Sequence, residues 1–307
     1  MTMKADLHMH GPIGFQEHWI RLQGYARHSR LELLVDVCRQ RGISICALTS
    51  EEATIPKGSV HDRFWAITQE PAHERGKRKL WDYKPLGENV FVVEKDGWKT
   101  YVVNSQAVIT KGQQHHGHIV VGSNQVPNMM TLEQTLDYCD TKGYVQILQL
   151  PFDANEMEAF LDNAHRYDAI EGHNAQLVLP WYTKHIPVVG KKFGKYAKTA
   201  NKEAREYARN LDMPFVAVSD AHLFQHIGCA SIRLADTAID FTTEEKLLGT
   251  LKRSLKSGSF SPCLGYAPFR EVVEWNLQVR VKNDIKNRIK HPTNVEQDTR
   301  NLEDGSY

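Results

Sequence analysis

Ile43-Ser44-Ile45-Cys46-Ala47-Leu48, closed by the polar Thr49-Ser50-Glu51, is the stretch on which the fold reading turns. Six mostly apolar, β-branched-rich residues bounded by polar ones have the length of a strand buried on both faces. The preceding segment, Leu31 to Arg41, carries apolar residues at helical spacing and stops at Gly42, a residue suited to a left-handed C-cap. Further back, Ala5 to His10 reads as a short strand that runs into a Gly/Pro loop. Strand, loop, helix and strand make one βα unit, and both strands end in polar residues.

The rhythm recurs downstream. Ile119 to Gly122 reads as a strand, Leu132 to Lys142 as a helix closed by Gly143, and Val145 to Leu148 as a buried strand ending at Pro151. A helix over Met157 to Tyr167, a strand over Ala169 to Glu171, a long helix near Lys195 to Leu211 and a strand over Phe215 to Val218 follow. Six or seven such units imply one barrel-like α/β domain over residues 1–290, with a loose polar tail over 291–307. Residues 55–100 interrupt the pattern. Residues 55 to 88 mix Pro, Gly, Trp and charge without a period. Two apolar arms then flank Asp96-Gly97, the pair that a type I′ turn needs, so a β-hairpin is expected. Its antiparallel arms suggest a ribbon protruding from a parallel wall, although the second arm can continue into the barrel and carry Gln106 to the mouth.

Composition narrows the function. There are 38 Lys+Arg against 37 Asp+Glu, a formal net charge of +1, so no global field favours nucleic acid or an acidic membrane. Nucleic acid stays open as a partner without support from net charge, and oligomeric state is not readable. No apolar run is long enough for a membrane span and the first residues are not a signal peptide, which implies a cytoplasmic protein. The 5 cysteines are widely spaced and odd in number, the pattern of reduced core thiols. The 15 histidines are many for this length and point to metal.

The polar residues gather at predicted strand ends, which in a βα barrel converge on one mouth. His8 and His10, two apart on an extended segment, direct both imidazoles the same way and can grip one ion; Asp220 and His222 repeat that geometry late in the chain. Between Lys184 and Arg209 stand eight Lys or Arg against two Glu. Lys191, Lys192 and Lys195 fall there beside Gly190 and Gly194, in what reads as a loop before the helix, and are candidate phosphate-binding residues.

Asp6-Leu7-His8-Met9-His10, Ala47-Leu48-Thr49, Ile170-Glu171 with Asn174, Ser219-Asp220-Ala221-His222 and Ile227-Gly228 together resemble the PHP (polymerase and histidinol phosphatase) family, over residues 4 to 232. The resemblance implies a distorted (β/α)7 TIM-like barrel whose mouth binds divalent metal and hydrolyses phosphoesters. It makes His8, His10, Asp220 and His222 metal ligands. It also marks departures. Glu51 stands where the family carries an imidazole, so it is a candidate ligand and a candidate acid–base group. Gln106 falls where a bridging glutamate is expected and becomes a weak oxygen donor, and Leu150 replaces a ligand histidine. His118 is the other candidate general acid or base, and Asn174 a candidate substrate contact.

The donor count predicts one or two ions, and mixed imidazole and carboxylate donors suit Zn, Mn or Fe. The expected activity is hydrolysis of a small-molecule phosphoester, a phosphorylated metabolite or nucleotide, by metal-activated water. The alternatives are a barrel that holds metal or phosphate without turnover, and an amidohydrolase-type metal hydrolase, which also opens on His-x-His.

Overall fold

The structure, a computed structural model, describes residues 3–10, 30–50, 64, 82–111, 117–127, 129–149, 159–177, 190–235, 241–268 and 272, with the backbone alone at 30, 82 and 190–199. Two compact units divide the chain, Met1–Ala267 and Pro268–Tyr307. The second is described only at Pro268 and Val272, where the Val272 amide donates to the Pro268 carbonyl at 3.1 Å. Everything below concerns the first.

Its elements in order are β1 (Met3–Met9), α1 (Arg30–Arg41), β2 (Ile43–Ser50), β3 (Asp82–Pro85), β4 (Val90–Lys95), β5 (Trp98–Val108) and β6 (His118–Val121). Then come α2 (Leu132–Lys142), β7 (Val145–Leu148), β8 (Ala169–Asn174), α3 (Gly190–Asn210), β9 (Phe215–Val218), β10 (Ser231–Leu234), α4 (Glu244–Lys256) and β11 (Phe260–Cys263). The strands form one sheet in the order β11-β10-β1-β2-β5-β6-β7-β8-β9. β9 returns to β1 through a parallel bridge of Met9 with Ala221, and the Asp220 amide donates to the His8 carbonyl at 2.8 Å. The sheet is thereby a nearly closed barrel, as the βα rhythm predicts, and distorted and TIM-like, as the family resemblance implies.

Alternation along the strands fills the interior. Leu7, Ala47, Val103, Ile119, Ile147 and Val218 belong to one fully buried cluster, the lumen. Leu247, Leu248, Leu251 and Leu255 of α4 join it and close the end where the parallel strands begin. α1 packs Leu34, Val35 and Cys38 against the outer face of β1 and β2. The helix stops read from sequence hold. Gly143 takes φ 71 after α2, whose N-terminus Thr131 and Gln134 close as a capping box.

Three local expectations need correction. The hairpin turn is present, with Asp96 at φ 49 and Gly97 at φ 75, and β4 pairs with β5 from Val90↔Val103 to Lys95↔Trp98. It is not a free ribbon, because β5 is itself a wall strand, parallel to β2 from Ile45↔Tyr101 to Ser50↔Gln106. Nor is the wall wholly parallel: β6 is antiparallel to β5 and β7, and β10 to β1 and β11. Finally, α3 begins at Gly190, so the segment holding Lys191, Lys192 and Lys195 is helical and not a loop.

Candidate metal centre

β1 changes face as it reaches the mouth. Leu7 lies in the lumen cluster whereas Met9, two residues on, packs outside with Leu34 and Cys46; strict alternation would put both on one face. The β1–β2 register shifts between Asp6 and Met9, and that irregularity makes the switch. In consequence His8 and His10 turn together into the barrel mouth, both buried.

Asp220 comes from the other side of the closure. It follows β9 at φ 49, a left-handed conformation that Asp tolerates better than most residues. Asp6 pins this turn: its carboxylate accepts from the Ser219 amide at 3.1 Å and from the Gly228 amide at 2.9 Å. Burial pushes the Asp6 carboxyl up to about 6 despite those bonds.

Two partners fix the imidazole tautomers. His8 Nδ1 lies 2.9 Å from Glu171 Oε2, and His10 Nδ1 lies 3.1 Å from the Thr49 carbonyl oxygen. A carboxylate and a carbonyl only accept, so each Nδ1 carries the proton and each Nε2 presents a lone pair. Those Nε2 atoms are 3.1 Å apart, and Asp220 Oδ1 is 3.0 Å from the one on His10 and 3.7 Å from the one on His8. Asp220 Oδ1 is buried, and among the described residues only the imidazoles approach it. Three electron-rich atoms therefore converge on one point, which calls for a proton or a cation among them.

Their spacing fits an ion. A tetrahedral divalent metal with ligands at ~2.0 Å sets donor–donor edges of about 3.3 Å, and the three observed separations bracket that value. These residues are the one group of metal-competent donors among the described residues, all within 4.8 Å of one another. Burial raises the Asp220 carboxyl, but positive charge beside it outweighs that: the imidazoles of His8, His10 and His222, when protonated in place of an ion, hold the group well below the usual carboxylate range. His222 Nε2 stands 4.0 Å from Asp220 Oδ1 and its ring stacks at 4.6 Å on His10. It is more exposed than the other two histidines and forms the solvent side of the cluster.

The remaining candidates fall elsewhere. Gln106 shares the outer face of β5 with Val108; its amide donates to the Val126 carbonyl at 3.0 Å and accepts from the Val126 amide at 2.9 Å. The lumen-facing residue at that strand end is Ser105, bonded to Thr49 Oγ1 at 3.2 Å. His118 also faces outward, its ring 5.0 Å from that of Tyr167, and burial brings its pKa down to about 3. It is a neutral core histidine, not near His8. Asn174 does reach the centre, but through carboxylates: Nδ2 donates to Glu171 Oε1 and to Asp220 Oδ2, both at 3.0 Å. Glu51 lies outside the described residues, as do His115 and His116, and Lys191, Lys192 and Lys195 are described in backbone only.

Glu171 is the main addition to the site. As a strand-end acid it was readable as a group packing beneath the cluster, but its pairing with a histidine 163 positions away has no local signal.

Comparison with known proteins bears on the fold and on one segment of the chain. A family model described as PHP-associated matches residues 198–254, a segment that contains Asp220 and His222. PsfC from Pseudomonas syringae PB-5123 has a similar solved structure, with a TM-score of 0.52 at 13% identity over 91% of this chain and 98% of that one. That likeness is one of fold. The lesion-specific endonuclease PfuEndoQ from Pyrococcus furiosus gives a TM-score of 0.45 at 14% identity over 85% of this chain. This chain spans 58% of the length of that endonuclease. No curated protein matches. Over residues 198–254 the chain is thus similar to a PHP-associated family, in line with the resemblance of its strand-end motifs.

Proposed function

We propose that the chain is a metal-dependent phosphoesterase acting on a small phosphorylated metabolite or nucleotide. The observation that carries this reading is the convergence of His8 Nε2, His10 Nε2 and Asp220 Oδ1 at the barrel mouth. His8, His10 and Asp220 hold the ion, with His222 and Glu51 as further donors; Zn, Mn and Fe suit this set. When bound, such an ion acidifies water toward neutrality and offsets charge on phosphoryl oxygens.

The side chains do the rest. Glu171 keeps the His8 proton on Nδ1, so the ring stays oriented and Nε2 stays basic. The Thr49 carbonyl does the same for His10. With His222 kept as a further donor on the solvent side, the acid–base role falls to Glu51 in place of the outward His118. Lys191, Lys192 and Lys195 occupy the first turns of α3, where basic side chains and a helix N-terminus both favour a phosphate dianion. No helix among the described residues is long and apolar enough to cross a membrane, and the reading places the enzyme in the cytoplasm.

The test is metal analysis of the purified protein followed by a panel of phosphomonoesters and phosphodiesters with Zn²⁺, Mn²⁺ and Fe²⁺. Turnover that disappears with chelator and in Asp220→Ala is expected. A metal-loaded protein inert to the whole panel would overturn the enzymatic reading. Gln106 favours a second reading in that event. Its amide is spent on Val126, so this strand end supplies no bridging donor, and a barrel that binds metal and phosphate without turnover would result.

A further inference from the structure

We infer that Asn201 of α3 is a positioning residue for the metal centre, acting through Asn174; the inference rests on the metal-site reading above. Asn201 is 6% exposed, and an asparagine in mid-helix costs helix propensity relative to alanine or leucine. It is spent on one task. Its Oδ1 accepts from the Asn174 amide at 2.8 Å and its Nδ2 donates to the Asn174 carbonyl at 3.0 Å. A single side chain thus meets both backbone groups of the last residue of β8, as a neighbouring strand would.

The position it locks is the one on which the centre depends. β8 changes register against β9 between Glu171 and His173, so the ladder alone does not fix the end of the strand firmly. From its fixed backbone, Asn174 gives one Nδ2 hydrogen to Glu171 Oε1 and the other to Asp220 Oδ2. Its own Oδ1 accepts from the Gln176 amide at 2.9 Å. The neutral amide joins two carboxylates that would otherwise repel, one orienting His8 and the other a ligand. Without Asn201, the Asn174 amide becomes a buried donor lacking its acceptor and the carbonyl keeps only the longer bond from the Leu177 amide at 3.3 Å, a state that the strand end relieves by moving. That movement withdraws the amide from both acids. Asp220 can then rotate and His8 loses its fixed acceptor.

The lever is long: Asn201 bonds the Asn174 backbone, and through the Asn174 side chain it sets the angle of Asp220 and, by way of Glu171, of His8. Nothing in the local sequence marks it, since a polar residue on an amphipathic helix ordinarily faces solvent.

The experiment compares wild type, Asn201→Ala and the isosteric Asn201→Asp, which keeps the acceptor but loses the donor. Mn²⁺ and Zn²⁺ affinities are measured by chelator competition, well below the melting temperature of each metal-free protein. Affinity falling by 10-fold or more in Asn201→Ala, with a smaller fall in Asn201→Asp, is expected from losses seen when a ligand's supporting bond is removed. Lower melting temperature with unchanged affinity would make Asn201 a merely structural residue. The second readout is the ¹⁵N signal of the His8 ring in metal-free protein. Wild type should show the Nδ1–H tautomer, and Asn201→Ala a mixture. An unchanged His8 signal in a folded variant would overturn the inference. If wild type binds no metal, the functional reading falls, and the His8 signal still decides the role of Asn201.

Discussion

The barrel holds one aspartate at each end, Asp168 fully buried and Asp220 with its Oδ1 buried, and the two are satisfied in opposite ways. Asp168 precedes β8 at the base, where its carboxylate accepts from the Gln146 amide at 2.8 Å and faces Lys252 Nζ at 3.6 Å and Lys256 Nζ at 3.5 Å. Asp220 at the mouth takes one neutral amide bond from Asn174 on Oδ2 and faces imidazole nitrogens with Oδ1, and among the described residues no lysine or arginine pairs with it. The base has its cations built in from α4. At the mouth, among the described residues, Asp220 has imidazoles and an amide in place of lysines, and that set of donors could hold an ion. An acid with its own lysines is part of the scaffold; an acid among imidazole and amide groups is a candidate place for an ion.

The largest expected effect separates the two ends. Asp220→Ala should abolish hydrolysis and the metal-dependent rise in melting temperature while leaving the metal-free protein close to wild-type stability. Asp168→Ala should do the reverse, costing about 1–3 kcal/mol by leaving the buried Gln146 amide without its acceptor, with metal affinity intact in the folded fraction. Chelator titration and thermal melts of both variants check the pair; if Asp168→Ala removed metal binding and Asp220→Ala did not, the comparison would be inverted.

Next in size is Glu171→Gln. The amide keeps the shape of the group but replaces a carboxylate opposite His8 Nδ1, and metal affinity should drop roughly 10–100-fold. Isothermal titration with Zn²⁺ reads this directly. An unaltered affinity would mean that His8 is oriented by something else.

A third buried group sharpens the contrast from the outer wall. His118 is held neutral, with a folded pKa of about 3 against 6.5 as its ordinary value, because burial disfavours the imidazolium. Its folded form binds fewer protons than its unfolded form, so its stabilising effect is complete above pH 6.5 and is lost as pH falls toward 3. The loss is on the order of a few kcal/mol. His118→Leu should flatten the acid limb of a stability–pH curve between those values without moving metal affinity. A curve unchanged in shape would place the acid sensitivity elsewhere.

These contrasts also show what the chain discloses before it folds. The βα rhythm, the Gly143 stop, the Asp96-Gly97 turn and the polar strand ends are local patterns, and each is where the sequence puts it. Direction is not local: β6 carries the same apolar run whether parallel or antiparallel, and only its pairing with β5 and β7 decides. Facing is not local either. Gln106 and Ser105 are neighbours at one strand end, and the β5 register alone turns the serine inward and the amide toward Val126. The pairing of Glu171 with His8 needs the barrel to close first. Asn201 resembles any polar helix residue until α3 is laid against β8.

The smallest expected effect tests that facing. Gln106→Ala removes a buried two-bond clamp on Val126 and should cost about 1–3 kcal/mol, while Gln106→Glu should not raise the number of ions bound. Elemental analysis of the Glu variant checks this. A gained equivalent of metal would put residue 106 in the mouth after all.

Diffraction from crystals soaked in Zn²⁺ or Mn²⁺, with anomalous maps at the metal edge, tests the central claim most directly. The account predicts an ion with His8 Nε2, His10 Nε2 and an Asp220 carboxylate oxygen at ~2.0–2.3 Å, and Glu171 still bonded to His8 Nδ1. An ion bound away from these three side chains, or no ion at the mouth at saturating metal, would contradict it.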